Sequence, residues 1–321
     1  MKIKDRITIE KNDADQRLDK FLVSWIEKKE GVVDDFSRGD LIRAVKKQQI
    51  LINGKKTKPS HILKEGEVVS VEIEKVSDAV LPNEKIELNV VYEDEDIIVI
   101  DKQAGLCVHP SNSNDDSTLV SGLVVLYPEI VGVGDDSFQS NLRPGIVHRL
   151  DRDTSGVMIV ARNQKAFDEL KRKFQSREIQ KTYQTIVFGH LEKKKIIVSS
   201  PIAKATNYKR QVIATKKTKT KTRDAVTEFN VIKEYDKYSV VEAKPKTGRM
   251  HQIRVHLLSV GNPIVGDKLY KKKEFLTEEF LGSKRQLLHA CEIEFELFGK
   301  AHKFSSQIPF DFVEFLELIK N

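Results

Sequence analysis

The sequence predicts an α+β protein that combines a small N-terminal module with a larger domain built on a mixed, largely antiparallel sheet. Short runs of strand-forming residues dominate beyond residue 89, and helical periodicity there is confined to residues 164–176 and about 250–259. Strands therefore do not alternate regularly with helices, as they would in a parallel α/β sheet. The first 75 residues follow a different pattern, which predicts a separate module.

The first 75 residues predict two helices, a hairpin and a closing strand. An amphipathic helix begins near Gln16, and a second helix runs through residues 41–45. Ile50–Lys55 combines a short strand with an Asn-Gly turn, which favours a tight hairpin. Alternating valine and isoleucine residues at 69–73 predict the strand that closes the module.

Composition predicts the remaining boundaries of the chain. Residues 76–88 mix Ser, Asp, Pro and Asn between two strand patterns and are predicted to form a linker. The larger domain is then expected to span 89–321. Within it, residues 111–142 are rich in Ser, Asn, Asp and Gly around a short apolar stretch, and are predicted to form a loop excursion. The second helical pattern should end at Gly261, since glycine commonly terminates a helix.

Positive charge is concentrated in two separate segments. The 321 residues carry a net charge of +7 with a pI near 9.1. Residues 38–64 contain eight Lys and Arg against one acid, Asp40, and residues 193–223 contain eleven Lys and Arg with no acid. Such clusters are typical of proteins that bind a phosphate backbone. A solvated lysine face would give the same composition.

Two cysteines and a charged N-terminus indicate the compartment. Cys107 and Cys291 have no Cys-x-x-Cys spacing and are expected to be buried thiols in a reducing cytosol. No signal peptide pattern opens the sequence, and no apolar run approaches the length that spans a membrane. We expect a cytoplasmic monomer with no membrane partner.

Asp151 is the most informative position for chemistry. It lies in Gly-Ile-Val-His-Arg-Leu-Asp-Arg-Asp-Thr-Ser-Gly, residues 145–156, between two apolar runs that predict strands meeting at a tight turn. The flanking arginines, Arg149 and Arg152, favour an ionised carboxylate, which a nucleophile or base requires. A purely structural turn is an alternative, because Asp, Thr and Ser bond nearby backbone. A magnesium-dependent phosphatase that uses Asp151 and Asp153 is a third.

The segment around Asp151 resembles the signature of the RluA-type RNA pseudouridine synthases. Other segments resemble motifs of the same family in the same order, and the resemblance covers about residues 90–310. It implies a pseudouridine synthase catalytic domain. The matching segments are 91–102, 105–110, 148–156, 181–183, 246–256, 263–267 and 288–290.

The resemblance implies roles for individual residues. Asp151 would be the catalytic carboxylate, acting as a nucleophile or as a base at ribose carbon 2′, and Tyr183 would stack on the extracted uracil. Arg254 would pair with Asp151. Two further residues, Arg149 and Arg249, would bind substrate. After the nucleotide is flipped out, Arg149 would hold the base stack that the uridine has left, or contact phosphate.

No cofactor or metal is expected from the sequence. The isomerisation requires no redox change and no energy source, and no Gly-rich nucleotide-binding loop occurs. His148 and His251 lie in the same motifs as the catalytic candidates. We interpret them as structural hydrogen-bonding residues, because two histidines without further ligands do not make a metal site.

The N-terminal module resembles the S-four-like RNA-binding domain of ribosomal proteins and tyrosyl-tRNA synthetases, over residues 17–73. The resemblance implies a set of RNA contacts on its basic surface. These are Arg17, Ser37, Arg38, Lys46, Lys47, Asn53 and Lys55.

The sequence therefore indicates an RNA pseudouridine synthase whose partner is RNA. An N-terminal module of this kind is similar to that of bacterial enzymes that modify large-subunit ribosomal RNA, so ribosomal RNA is the expected substrate. The same chemistry on tRNA is an alternative. A non-catalytic RNA-binding or ribosome-assembly protein with the same fold is another.

Overall fold

The computed structural model describes residues 2–28, 36, 38–74, 80–110, 115–135, 140–205, 210–272 and 283–320. The chain divides into two compact units. The first consists of residues 1–79 with 136–140, and the second of residues 80–135 with 141–321.

The first unit packs two helices on a three-stranded antiparallel sheet whose strand order is β1-β3-β2. A single core joins Leu18, Leu22 and Leu41 of the helices to Val69 and Val71 of the central strand. Its elements are β1 (Lys2–Thr8), α1 (Leu18–Glu27), α2 (Arg38–Lys46), β2 (Ile50–Ile52) and β3 (Val68–Glu74).

Asn53 and Gly54 form the predicted tight turn after β2. Both have positive φ, 49° and 72°, and Lys55 N donates to Ile52 O across the turn. This is the conformation that an Asn-Gly pair favours. Strand β1 was not predicted, because its sequence, Lys-Ile-Lys-Asp-Arg-Ile-Thr, is mostly charged, and Ile3 is the one buried side chain among those described in this strand.

The second unit is built on a nine-stranded sheet of order β4-β5-β6-β14-β7-β13-β12-β8, with β15 paired to β14. Among the described strands only β6 and β14 run parallel, so the predicted α+β class with a mixed, largely antiparallel sheet is confirmed. The elements are β4 (Val90–Glu93), β5 (Ile97–Lys102), α3 (Leu119–Leu126), β6 (Ser155–Ala161), α4 (Gln164–Ser176), β7 (Gln180–Phe188), β8 (Lys195–Ser199), β9 (Ile202–Lys204), β10 (Gln211–Ile213), β11 (Thr222–Arg223), β12 (Val226–Glu234), β13 (Tyr238–Pro245), α5 (Gln252–Ser259), β14 (Leu288–Leu297), β15 (Lys300–Ser305) and α6 (Phe310–Leu318).

Two sequence predictions need correction in the second unit. The stretch 111–142, predicted as a loop excursion, contains helix α3, whose residues Leu119 and Leu123 are buried in the core under β5 and β6. The linker predicted at 76–88 is also too long, because Val80, Ile86 and Leu88 pack against that same core. The second unit therefore begins by residue 80.

Helices α4 and α5 lie where the sequence predicted them. Helix α4 spans the predicted 164–176, and its buried face joins the core through Phe167 and Leu170. Helix α5 begins at Gln252 and is followed by Gly261, whose φ is +96°. Helix α5 thus carries Arg254 at a buried position, with 6% of the residue exposed.

Gly156 fixes the end of the segment that carries Asp151. It lies at the start of β6 with φ +116°, and a Cβ there would be 2.1 Å from Ala290 O of β14. Only glycine fits such an approach of two backbones. Asp151 is therefore held close to the point where β6 enters the sheet.

Within the described part of the chain, no helix is long and apolar enough to span a membrane.

Candidate active site

A cavity of about 690 Å³ opens at the segment that carries Asp151. Its wall is formed by that segment, by β7, by the start of α5 and by one face of α4. The cavity brings together all the residues of the second unit that the sequence predicted as functional. These are Arg149, Asp151, Tyr183, Arg249 and Arg254.

Arg254 joins Asp151 to a second carboxylate. Its Nη1 donates to Asp151 Oδ2 at 2.8 Å, while Nε and Nη2 donate to Asp267 at 2.7 and 3.0 Å. Burial lowers the pKa of Arg254, but its hydrogen bonds and its attraction to both carboxylates outweigh burial and raise that pKa above its usual value. The guanidinium is permanently charged, and the Asp267 side chain that holds it is 0% exposed.

Asp267 was not predicted as a functional residue. Besides Arg254, its Oδ1 accepts hydrogen bonds from the backbone N–H groups of Leu269 and Tyr270, at 2.9 and 2.8 Å. A bidentate carboxylate fixes both the position and the plane of a guanidinium. Asp267 therefore orients Arg254 toward Asp151. The available signal was its place in the segment 263–267, one of the family motifs.

One oxygen of Asp151 has no hydrogen-bond donor among the described residues. Oδ2 is held by Arg254, while Oδ1 lies 3.8 Å from His251 Nε2, which is too far for a hydrogen bond. Asp151 lines the cavity with 17% of its side chain exposed. The carboxylate thus combines one anchored oxygen with one that is open to a substrate.

His251 lies between Tyr270 and Asp151. Burial lowers its pKa, which favours the neutral ring. The Tyr270 hydroxyl accepts a hydrogen bond from Gln211 N at 2.7 Å and lies 2.9 Å from His251 Nδ1. If the hydroxyl donates to Nδ1, the histidine proton is on Nε2, on the side of Asp151. The role as a hydrogen-bonding residue that the sequence suggested agrees with these contacts.

His148 is the second motif histidine, and its contacts are internal. Nε2 accepts a hydrogen bond from Ile159 N at 2.9 Å, and the ring stacks on Phe174 with centroids 4.6 Å apart. Burial lowers the pKa of His148 to about 3, so the ring is neutral. His148 therefore ties the segment that carries Asp151 to β6 and α4.

Lys102 and Arg285 anchor the backbone around Asp151, and neither was predicted. Lys102 Nζ donates to the carbonyls of Gln103, Leu106 and Arg152 at 2.8 to 3.0 Å. Burial lowers the pKa of Lys102 to about 8, which leaves it protonated at neutral pH with three N–H donors for three carbonyls. Arg285 Nη1 donates to the Asp153 carbonyl at 3.0 Å.

Tyr183 provides the aromatic surface of the cavity. Its ring packs between two apolar clusters of the second unit, and burial, followed by the charge of Asp151, raises the pKa of its hydroxyl. The hydroxyl is therefore protonated at neutral pH. No hydrogen-bond partner for it occurs within the described ranges.

Arg149 and Arg249 also line the cavity, Arg149 as an exposed residue and Arg249 as a half-buried one. Arg149 Nη1 is 3.1 Å from His109 Nε2. Arg249 Nε donates to the Asp224 carbonyl at 3.2 Å. Both side chains keep further N–H donors for a ligand.

The predicted RNA contacts of the first unit fall into three groups. Arg17 and Arg38 are exposed, and both donate to the buried carboxylate of Asp19. The side-chain oxygen of Asn53 accepts a hydrogen bond from Val68 N at 2.8 Å, which favours a structural role for Asn53. The exposed lysines are Lys46, Lys47 and Lys55, and Ser37 lies outside the described residues.

Comparison with known proteins identifies the family. A family model described as RNA pseudouridylate synthase matches residues 96–259, which include Asp151, Tyr183 and Arg254. The chain belongs to the RluA-type RNA pseudouridine synthases. It is therefore an isomerase that converts uridine to pseudouridine in RNA.

Individual relatives support this membership over most of the chain. An uncharacterized RNA pseudouridine synthase of Aquifex aeolicus is 38% identical, over 84% of this chain and 81% of its own length. The ribosomal large subunit pseudouridine synthase D of Xanthomonas campestris pv. campestris is 34% identical over 89% and 86%. The solved structure of human RNA pseudouridylate synthase domain containing 1 is 25% identical, covers 74% of this chain and 87% of its own, and has a TM-score of 0.56.

Family membership decides between the activities that the sequence left open. The family assigns an isomerase, in place of the phosphatase and the non-catalytic RNA-binding protein. No group of three or more His, Cys, Asp or Glu side chains that could hold a metal occurs in the described part of the chain.

Proposed function

We propose that this enzyme isomerises uridines of large-subunit ribosomal RNA in the cytoplasm, with Asp151 as the catalytic carboxylate. The substrate proposal is supported by relatives named ribosomal large subunit pseudouridine synthase D, which align over most of the chain. The mechanistic proposal rests on one observation: Asp151 is held by Arg254, which Asp267 binds in turn, and it has one unbonded oxygen inside a cavity that Tyr183 also lines.

The reaction breaks the bond between ribose C1′ and uracil N1 and forms a bond between C1′ and C5. The C5 proton is lost, and N1 gains a proton, so no external reactant is consumed. A single carboxylate at the junction of sugar and base can serve two routes. It can attack C1′ as a nucleophile, or it can remove the 2′ proton as a base. Both routes require an ionised Asp151.

Oδ1 of Asp151 is the oxygen that we assign to the ribose. Arg254 holds Oδ2 at 2.8 Å and so fixes the direction of the other oxygen. His251 Nε2 lies 3.8 Å from Oδ1, so the tautomer that carries its proton on Nε2 could donate to Oδ1 or to a ribose hydroxyl after a small movement. The carboxylate is thereby oriented before the substrate arrives.

Tyr183 and Arg149 are assigned to the base and to the flipping step. A uridine within a folded RNA must leave its stack to reach a cavity of this kind. Stacking on an aromatic ring compensates for the base neighbours that the uridine loses. Tyr183 lies on the cavity wall, and we assign this stacking to its ring. Arg149 is exposed at the mouth, where it can contact the strand that the uridine has left.

We assign the first unit to RNA binding as an S-four-like module. Two helices and a tight Asn-Gly turn support this assignment, and three exposed lysines accompany them: Lys46, Lys47 and Lys55. Asp19 holds Arg17 and Arg38 with side chains that are 45% and 56% exposed. Their remaining N–H groups are available to phosphate oxygens.

The test is a map of pseudouridines in total RNA from a strain that lacks the gene. Loss of pseudouridine from large-subunit ribosomal RNA, restored by the wild-type gene and not by Asp151→Asn, is the expected result. Loss from tRNA alone would transfer the proposal to tRNA. Restoration by Asp151→Asn would overturn the assignment of the catalytic carboxylate.

A further inference from the structure

Two buried side-chain nitrogens in the described part of the chain have no hydrogen-bond partner, and both belong to residues of the cavity wall. They are His109 Nδ1 and Arg143 Nε. Buried polar groups are paired in the large majority of cases, so an orphan usually marks a missing ligand, ion or water. Two orphans on one wall therefore point to one missing partner.

Both orphans are donors. Burial, together with the charges of Arg149 and Arg143, lowers the pKa of His109 to about 3, so its ring is neutral. His109 Nε2 faces Arg149 Nη1 at 3.1 Å and must accept that hydrogen bond, because a guanidinium can only donate. The ring proton is then on Nδ1. The missing partner is consequently an acceptor.

The positive charge around these donors is only partly compensated. Burial and the charge of Arg149 lower the pKa of Arg143, while the charge of Asp135 raises it. The nearby carboxylate of Asp135 is engaged by Lys171 Nζ at 2.7 Å. Within the described ranges, neither Arg143 nor Arg149 has a carboxylate at ion-pair distance. Like charges are held together here at a cost that a bound anion would offset.

We infer that Arg143, with His109 and Arg149 beside it, binds one of the two phosphates that flank the flipped uridine. The inference rests on the proposed function, and extends it to the backbone of the substrate. The three residues line the same cavity as Asp151, so we place the phosphate on the nucleotide whose ribose meets Asp151. A guanidinium matches the geometry of phosphate and can bind it through two N–H donors.

The test is a double-mutant cycle between Arg143→Gln and a neutral methylphosphonate linkage. An RNA hairpin in which the wild-type enzyme forms pseudouridine is synthesised with that linkage on the 5′ side or on the 3′ side of the target. We expect one of the two linkages to weaken wild-type binding about tenfold, as loss of a charged hydrogen bond does. Arg143→Gln should bind the unmodified hairpin about tenfold more weakly and be indifferent to that linkage.

Arg172→Gln is the matched control. Arg172 lies on α4, pairs with Glu169 and Glu178, and does not line the cavity. The Arg172→Gln substitution removes the same charge as Arg143→Gln. This variant should respond to the neutral linkage as the wild-type protein does. Arg143→Gln should also unfold at the same or a higher temperature, because it removes an unpaired charge. A structural role for Arg143 would instead lower that temperature.

Inorganic phosphate separates this inference from the proposed function. Phosphate, compared with chloride at equal ionic strength, should stabilise the RNA-free wild-type protein more than it stabilises Arg143→Gln, because its general stabilising effect is common to both proteins. Additive effects of Arg143→Gln with both linkages, with equal stabilisation of the two proteins by phosphate, would overturn the phosphate site and leave the isomerase assignment intact. A failure to find the ribosomal RNA target would leave the cycle readable on any RNA that the enzyme modifies.

Discussion

Replacement of Asp267 by asparagine should damage catalysis without removing any group that we assign to the substrate. Asp267 is fully buried and binds Arg254 through two hydrogen bonds of 2.7 and 3.0 Å. Asparagine keeps the shape but removes the charge and replaces one acceptor by a donor, which faces the guanidinium. Arg254 then remains buried with Asp151 as its only carboxylate partner among the described residues.

The magnitude follows from burial. Breaking one side of a buried ion pair costs about 3–5 kcal/mol, and the remaining attraction to Asp151 places the expected loss of stability at the lower end, about 3 kcal/mol. Arg254 should also rotate out of the plane that Asp267 imposes. A misplacement of about 1 Å in a catalytic group can cost on the order of a hundredfold in rate. We therefore expect about a hundredfold slower single-turnover rate with an almost unchanged Kd for RNA.

The assay is release of tritium from C5 of labelled uridine under single-turnover conditions, at a temperature where circular dichroism shows the variant folded. Glu129→Gln is the matched control, since Glu129 forms a 2.7 Å ion pair with Arg162 at the surface. Such exposed pairs contribute about 0–1 kcal/mol, so this variant should retain wild-type stability and rate. A folded Asp267→Asn protein with the wild-type rate would refute the idea that Asp267 positions Arg254 for catalysis.

Three further predictions concern the base, the charge of the cavity and the first unit. Tyr183→Phe should bind RNA with the wild-type Kd, whereas Tyr183→Ala should lose the roughly 1–3 kcal/mol of binding free energy that base stacking contributes. A wild-type reaction rate in Tyr183→Phe would exclude the hydroxyl from proton transfer. Burial lowers the pKa of Lys181, on the cavity wall, to about 8, so its positive charge is present below that pH and lost above it. Affinity for RNA should therefore fall between pH 7 and 9, and a variant with Lys181→Gln that shows the same fall would contradict this. Joint replacement of Lys46, Lys47 and Lys55 by glutamine should reduce the slope of log affinity against log salt by about 0.7 per lost phosphate contact. The single-turnover rate at saturating RNA should not change. An unchanged slope would show that these lysines do not contact RNA.

The fold class and the cavity residues followed from the sequence because their signals are local. Period-2 and period-3.6 patterns identify β7 and α4, and the charged segment around Asp151 is short and continuous. Helix α3 was missed for a physical reason. Its sequence, Leu-Val-Ser-Gly-Leu-Val-Val-Leu, is buried along six of its eight residues, so it has no polar face and shows no helical period.

The supports of the site were missed because they act across long distances in sequence. Asp267 is 13 residues from Arg254, and Arg285 is 132 residues from the Asp153 carbonyl that it bonds, which it reaches because β6 and β14 are neighbours in the sheet. From the sequence, Lys102 is an ordinary charged residue at the end of a strand. In the structure it is almost fully buried and donates hydrogen bonds to three carbonyls. Partners of this kind depend on tertiary pairing, which residue spacing does not encode.

The central claim is that Asp151 carries the chemistry. The measurement that tests it most directly is pseudouridine formation by Asp151→Asn in single-turnover assays on RNA, beside a binding isotherm for the same RNA. Because asparagine is nearly isosteric and the positive charges of the cavity remain, we expect RNA affinity close to that of the wild type and no pseudouridine. A turnover rate within about tenfold of the wild type would contradict the account and move the catalytic role to another residue.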